Sequence, residues 1–141
     1  MTKTILIVDD HDTVRRALAR WLEIVFKDCL ILPTTTGEEA VAIARDTPPQ
    51  VIVMDFSLPA MNGAEATRCI KEVTPAVQVV ISTIHDSAAY RTDAADAGAS
   101  AYILKEDMQT QLVPTLKALL ANGGPLPRSS NTRSFDEESA T

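Results

Sequence analysis

Ile5-Leu6-Ile7-Val8-Asp9-Asp10 is the stretch that decides the fold. Four apolar residues, three of them β-branched, stand in a row without polar alternation, and two carboxylates close the run. A strand with one face in water alternates apolar and polar side chains, whereas a strand covered on both faces does not. The stretch therefore reads as a doubly buried strand whose carboxyl end presents acid. Immediately beyond it, Val14, Ala17, Leu18, Trp21, Leu22 and Val25 recur at spacings of three and four. That is the stripe of an amphipathic helix, with Asp12 or Thr13 as the expected N-cap.

Further along, the pair of patterns repeats. Leu30-Ile31-Leu32 is a second strand and 37–45 a second helix, stopped by Pro48-Pro49. Val51-Ile52-Val53-Met54 is another continuous apolar run, ending in Asp55. Leu58-Pro59 and Asn62-Gly63 make a loop before a helix over 64–73. Val77 to Ile81 is the fourth run, closed by Ser82-Thr83, and an alanine-rich helix over 87–97 meets Gly98 as a C-cap. Ala101-Tyr102-Ile103-Leu104 is the last strand and ends at Lys105. Met108, Leu112, Leu116, Leu119 and Leu120 share one face of a final helix, in which Pro114 is expected near the first turns, where a missing N–H costs least.

Five strand–helix units imply a parallel sheet with helices on both faces and right-handed crossovers. A closed barrel needs eight such units and typically ~250 residues, so the α/β class here is an open, doubly wound sheet.

The chain has 141 residues and 15.2 kDa, a length for one domain with a self-sufficient core. Residues 1–121 form that domain. Residues 122–141, rich in Gly, Pro, Ser, Asn and charge, hold only Leu126 and Phe135 as large apolar side chains and read as a flexible tail or linker remnant. Cys29 and Cys69 form neither a disulfide framework nor a CxxC zinc motif, and read as buried free thiols in a reducing compartment. The N-terminal apolar run is too short for a signal peptide and no run approaches a membrane span, so a cytoplasmic protein without membrane insertion is expected. A net charge of −6 disfavours direct nucleic-acid binding, and the densest basic spot, Arg15-Arg16, reads as a solvated helix face.

In an open α/β sheet ligands bind at the carboxyl ends of the strands. The residues that end the strands here are Asp9 and Asp10, Asp55, Thr83 and Lys105. Each alone is ordinary: an Asp after a strand is usually a cap or turn residue. Together, at the ends of four different strands, they make coincidence a poor account. Three neighbouring carboxylates repel one another unless a cation joins them, and a hard oxygen cluster suits Mg²⁺. With metal and an ammonium close by, one carboxylate stays ionised as a nucleophile, and the set fits phosphoryl transfer to give an aspartyl phosphate.

With those residues in place, the chain resembles a response-regulator receiver domain of two-component signalling. The resemblance runs from Lys3 to Ala121 and is spread over Val8-Asp9-Asp10-His11, Asp55-Phe56-Ser57-Leu58-Pro59 with Asn62-Gly63, Ile81-Ser82-Thr83, Ala97-Gly98-Ala99 and Ala101 to Lys105. It implies a flavodoxin-like sheet of strand order 2-1-3-4-5. It also implies that Asp55 accepts a phosphoryl group from a sensor histidine kinase or phosphotransfer protein. Asp10, Asp55 and the Ser57 backbone carbonyl would hold Mg²⁺, with Asp9 acting largely through water. Lys105 would pair with the phosphate, and Thr83 and Tyr102 would be the switch that reports it. A downstream protein would read the face formed by the fourth helix, fifth strand and last helix, and a phosphorylation-dependent homodimer stays open.

Asp9-Asp10-His11, Val14-Arg15 and the run from Leu112 into Pro125-Leu126-Pro127 are most similar to receivers of LuxR-type regulators, without their helix-turn-helix domain. A stand-alone receiver is the favoured expectation; a receiver-only piece of such a regulator and a receiver acting by contact alone are the alternatives. Glu106 stands where many relatives have proline, so a cis bond is not expected there; Ile84 is bulkier than the small residue common at its place and could narrow access to the site. His11 reads as a capping residue or one supporting the metal ligands, and His85 as a loop residue near the phosphate. Two enzymatic or carrier readings fail on single positions. A haloacid-dehalogenase-like phosphatase needs a second Asp where Ser57 stands, and a flavin carrier's phosphate would be repelled by Asp9-Asp10-His11-Asp12. The chain is therefore read as a signalling domain and not an enzyme acting on external substrates.

Overall fold

The computed structural model describes residues 2–122, and the expected tail over 122–141 lies outside the described residues except for Asn122. Five units follow one another: β1 (Lys3–Val8), α1 (Asp12–Val25), β2 (Cys29–Thr34), α2 (Gly37–Asp46), β3 (Val51–Asp55), α3 (Gly63–Val73), β4 (Gln78–Thr83), α4 (Ala88–Ala97), β5 (Ala101–Leu104) and α5 (Met108–Asn122). All strand pairs are parallel, in the order β2-β1-β3-β4-β5, as the resemblance implied.

Side chains of a strand alternate between its two faces, and here that alternation sorts the core into two layers. Leu6, Val8, Ile52, Met54, Val79 and Ile81 pack with Ala40, Ala44, Ala66, Ile70 and Ala94 of α2, α3 and α4. Ile5, Ile7, Val51, Val53, Val80 and Ile103 pack with Leu18 and Leu22 of α1, with its C-cap Phe26, and with Leu112, Leu116 and Leu119 of α5. Burial on both sides explains why these strands carry uninterrupted apolar runs. Each fully buried Leu or Ile contributes roughly 1.5–3 kcal/mol relative to exposure. β2 is an edge strand and tolerates Pro33 within it, since a missing N–H on the outer side breaks no ladder bond.

Helix ends follow sequence chemistry at most positions. Thr36 accepts from the N–H of Glu39, Asn62 and Glu65 form a reciprocal capping box, Ser87 accepts from Tyr90, and Gly98 ends α4 in the left-handed region at φ 100°. Three expectations need correction. α1 is capped by the backbone of His11, not by Asp12 or Thr13, because Asp12 already lies in the first turn facing Arg15 and Arg16. Pro114 does lie near the first turns, in the second, but not where a missing N–H costs least: α5 begins at Met108, so the proline removes the donor that would serve the carbonyl of Thr110. Cys29 and Cys69 are free but only half-buried; both lie at positions partly open to water instead of inside either layer of the core. Among the described residues no peptide bond is cis, Lys105–Glu106 included.

Candidate functional site

The strand order places β1 between β2 and β3, so the chain leaves β1 in one direction and returns to β3 in the other. The loops diverge at that switch point and open a crevice at the carboxyl ends. Asp9 and Asp10 stand directly after β1, and Asp55 is the last residue of β3. Lys105 follows β5 and reaches back across the sheet edge into the crevice.

Asp55 is held by its own loop. The N–H of Phe56 donates to the carbonyl of Ser82 at 2.8 Å, and the Phe56 carbonyl accepts from the N–H of Gly63 at 2.8 Å. Gly63 is required by proximity: a Cβ there would lie 2.5 Å from the Asp55 carbonyl oxygen. Ala60 stands at φ 62°, a left-handed conformation that lets the short loop turn after Leu58-Pro59. Asp55 is only 3% exposed. Its Oδ1 accepts from the N–H of Ser57 at 3.3 Å and lies 3.6 Å from Lys105 Nζ. Its Oδ2 is buried without a hydrogen-bond partner. Burial raises the pKa of this carboxyl above the ordinary carboxylate range; Lys105 opposes the shift and Asp9 adds to it.

Asp9 is buried as deeply. Its Oδ2 accepts from Lys105 Nζ at 3.2 Å, and its Oδ1 accepts from the N–H of His11 at 2.8 Å. Asp10 is more open to water. One donor atom from each of Asp9, Asp10, His11 and Asp55 can be chosen so that all lie within 4.8 Å of one another. Three carboxylates against a single ammonium leave an excess of negative charge in a partly dehydrated crevice. An orphaned buried oxygen on Asp55 and a set of hard donors fit a divalent cation.

Ser57, the expected backbone ligand, is two residues past Asp55 on the same loop. Thr83 lies one residue beyond Ser82, the register partner of Asp55, and its hydroxyl accepts from the N–H of His85 at 3.1 Å. Tyr102 is buried, and its hydroxyl donates to the His85 carbonyl at 2.7 Å. His85 thus ties both expected switch hydroxyls to one peptide segment. Burial pushes the Tyr102 phenol up, and the Arg91 guanidinium, 4.6 Å above the ring centroid, pulls the other way. Ile84 is 75% exposed, so its side chain stands mostly in water.

Some participants were not legible in the sequence. Arg15 is not a solvated residue: its guanidinium is largely buried, donating to the Asp9 carbonyl at 3.0 Å and pairing with Asp12. Phe56 stacks on Tyr90 with ring centroids 4.5 Å apart, and Tyr90 meets His85 edge-on at 5.4 Å. This aromatic chain links the Asp55 loop to α4. Helical spacing put Arg15 beside Asp12, but nothing in the order of residues put it against Asp9.

A doubly wound parallel sheet whose switch-point crevice gathers three carboxylates and one lysine at its carboxyl edge is the architecture of a known class of signalling domain. The description "Response regulator receiver domain" matches residues 5–117, and the chain belongs to that family. The transcriptional regulatory protein DegU of Brevibacillus brevis is 37% identical over 120 residues, 85% of this chain and 50% of that protein. The response regulator GacA of Pseudomonas aeruginosa is 31% identical over 117 residues, 83% of this chain and 55% of that protein. A two-component response regulator of the LuxR family from Aurantimonas sp. SI85-9A1 superposes with a TM-score of 0.82 at 33% identity, covering 100% of both chains. The chain spans about half the length of the curated relatives it matches. Receiver domains are signalling modules that meet histidine kinases or other phosphodonors and bind Mg²⁺ at an acidic pocket. Among the described residues no helix is long and apolar enough to cross a membrane.

Proposed function

We propose that Asp55 takes a phosphoryl group from the phosphohistidine of a sensor kinase or phosphotransfer protein, and that partner proteins read the phosphorylated form. The observation that carries this is the buried Asp55 carboxylate, with one oxygen unpartnered and Lys105 Nζ 3.6 Å from the other. A carboxylate oxygen of Asp55 attacks phosphorus, the P–N bond of the donor breaks, and the leaving imidazole takes up a proton. Asp10, Asp55 and the Ser57 carbonyl would hold Mg²⁺, with Asp9 assisting through water. The ion, when bound, offsets charge on the phosphoryl oxygens.

The Lys105 ammonium, between Asp9 and Asp55, supplies the second positive charge. Once Asp55 bears a dianionic group, the Thr83 hydroxyl gains a strong acceptor and leaves the N–H of His85. The His85 segment also holds Tyr102, so the α4–β5–α5 face changes with it, and a downstream protein or a second copy of the chain reads that face. This reading carries a cytoplasmic location with it. The test is the intact mass of the protein incubated with acetyl phosphate, with and without Mg²⁺, beside Asp55→Asn. One Mg²⁺-dependent phosphoryl adduct, absent in the variant, is expected. An adduct of equal yield in Asp55→Asn would overturn the assignment.

A further inference from the structure

Asp9, Asp10, Asp55 and Lys105 occupy the carboxyl edge of the sheet; the opposite edge carries a second concentration of charge, of the other sign. At the amino ends of β1 and β2, where Lys3 and Cys29 are register partners, lies a shallow hollow of about 300 Å³. Three lysines stand around it: Lys3 at the start of β1, Lys27 in the connection after α1, and Lys117 on α5. All three are exposed, and Asp28 is the one carboxylate among the lining residues. Between the lysines the lining is apolar and includes Phe26 and Leu120, both buried, with the half-buried Cys29 beside them. Lys3 Nζ donates to the Leu120 carbonyl at 2.6 Å, which fixes the hollow to the last turns of α5. A chain of net charge −6 thus gathers positive charge at this edge.

We infer that this hollow is the docking site of the chain's own acidic segment, Phe135-Asp136-Glu137-Glu138. Leu120 of the hollow comes just before the end of α5 at Asn122, so the rest of the chain departs beside it. Residues 123–134 would span up to about 40 Å if extended, more than a return to the neighbouring turn of α5 requires. Gly123-Gly124 stand where the chain would reverse, and glycine accepts any turn geometry. Charge selects which part docks. Asp136, Glu137 and Glu138 are the only acidic side chains beyond Asn122, whereas the stretch before them carries Arg128 and Arg133, which three ammoniums repel. Phe135, directly before the acids, supplies an apolar anchor for the lining at Phe26 and Leu120. Exposed ion pairs are individually weak. A tether of this length, however, holds the segment at an effective concentration of the order of millimolar, so a contact too weak to form between separate chains closes within one.

The test reads the Cys29 thiol, which the docked segment would cover. The protein is the full chain with Cys69→Ser, which leaves Cys29 as its one cysteine, and the probe is 4,4′-dithiodipyridine, a neutral disulfide reagent followed by absorbance. At low salt the thiol is expected to react about fivefold or more slowly than in the same chain carrying Asp136→Asn, Glu137→Gln and Glu138→Gln, and about 0.5 M NaCl should bring the two rates together. An exchange of charge supplies the second arm. Lys27→Glu with Lys117→Glu should unmask Cys29, and adding Asp136→Lys, Glu137→Lys and Glu138→Lys in that background, where the surroundings of the thiol are otherwise the same, should mask it again. Equal low-salt rates with and without the three acids, or no return of masking when both sets of charges are exchanged, would overturn the proposal. Masking that grows with protein concentration would overturn it as well, because the segment would then be docking on a second copy of the chain.

Discussion

Asp55 sits in the crevice at a cost in stability, and that cost can be measured. Its Oδ2 is a buried acceptor without a partner, an arrangement worth about 1–3 kcal/mol of lost stability and more when the group is charged. Opposing this, Lys105 Nζ lies 3.6 Å from Oδ1; with the lysine 20% exposed and the carboxylate 3%, much of the Coulombic gain is offset by taking both charges out of water. Asp55→Asn removes the charge, keeps an oxygen to accept from Ser57, and offers an amide N–H₂ to the neighbouring carboxylates. Without metal, the variant should therefore be more stable than wild type by about 1–2 kcal/mol, a rise of roughly 4–8 °C in Tm for a domain of this size.

The dependence on pH has a definite sign. Burial holds the Asp55 pKa above its unfolded value of about 3.9. The penalty is then absent below pH ~4 and sets in as pH rises through the folded-state pKa. The assay is thermal unfolding followed by circular dichroism in excess chelator, for both proteins, from pH 4 to 8. The gap should be widest at the alkaline end and close toward pH 4, and Mg²⁺ should raise the wild-type Tm more than that of the variant. A variant that melts at or below wild type at pH 8, or a gap independent of pH, would refute the account of a strained, partnerless carboxylate.

Lys105→Met leaves Asp9 and Asp55 without their shared ammonium; metal-free stability should fall by about 1–3 kcal/mol, and the Tm gain on adding Mg²⁺ should exceed that of wild type. Gly63→Ala places a methyl 2.5 Å from the Asp55 carbonyl oxygen, so the β3–α3 loop must shift; acetyl phosphate labelling should slow at least tenfold while the circular dichroism spectrum stays native. Ala60→Gly relieves a left-handed alanine and should raise stability by up to about 1 kcal/mol in urea unfolding, the gain being offset in part by unfolded-state entropy. Leu112→Ala empties a fully buried position of α5 and should cost about 2–5 kcal/mol in the same measurement.

How much of this was readable from the chain alone differs by element. The runs at Ile5–Val8 and Val51–Met54 announced strands covered on both faces, because burial on two sides leaves no position for a polar residue. Gly98 was legible as the end of α4 because a left-handed C-cap depends on the residue itself, whereas the reciprocal cap of Asn62 with Glu65, in a stretch that read only as a loop, came from the structure. Acid at the ends of β1 and β3 and lysine after β5 were legible too, since a parallel sheet brings all carboxyl ends to one edge.

The tertiary structure decided what depends on approach between elements. It turned Arg15 inward onto Asp9, gave Asp12 to the first turn of α1, and left the cap to the backbone of His11. It stacked Phe56 on Tyr90 and joined Thr83 and Tyr102 through one peptide segment at His85. Above all it shared Lys105 between Asp9 and Asp55 and left one buried oxygen of Asp55 without a partner. Periodicity and capping are set by neighbours along the chain, so a sequence displays them. Which atom of a carboxylate faces a lysine nearly a hundred residues away is set by the packing of the whole sheet, and no local pattern encodes it.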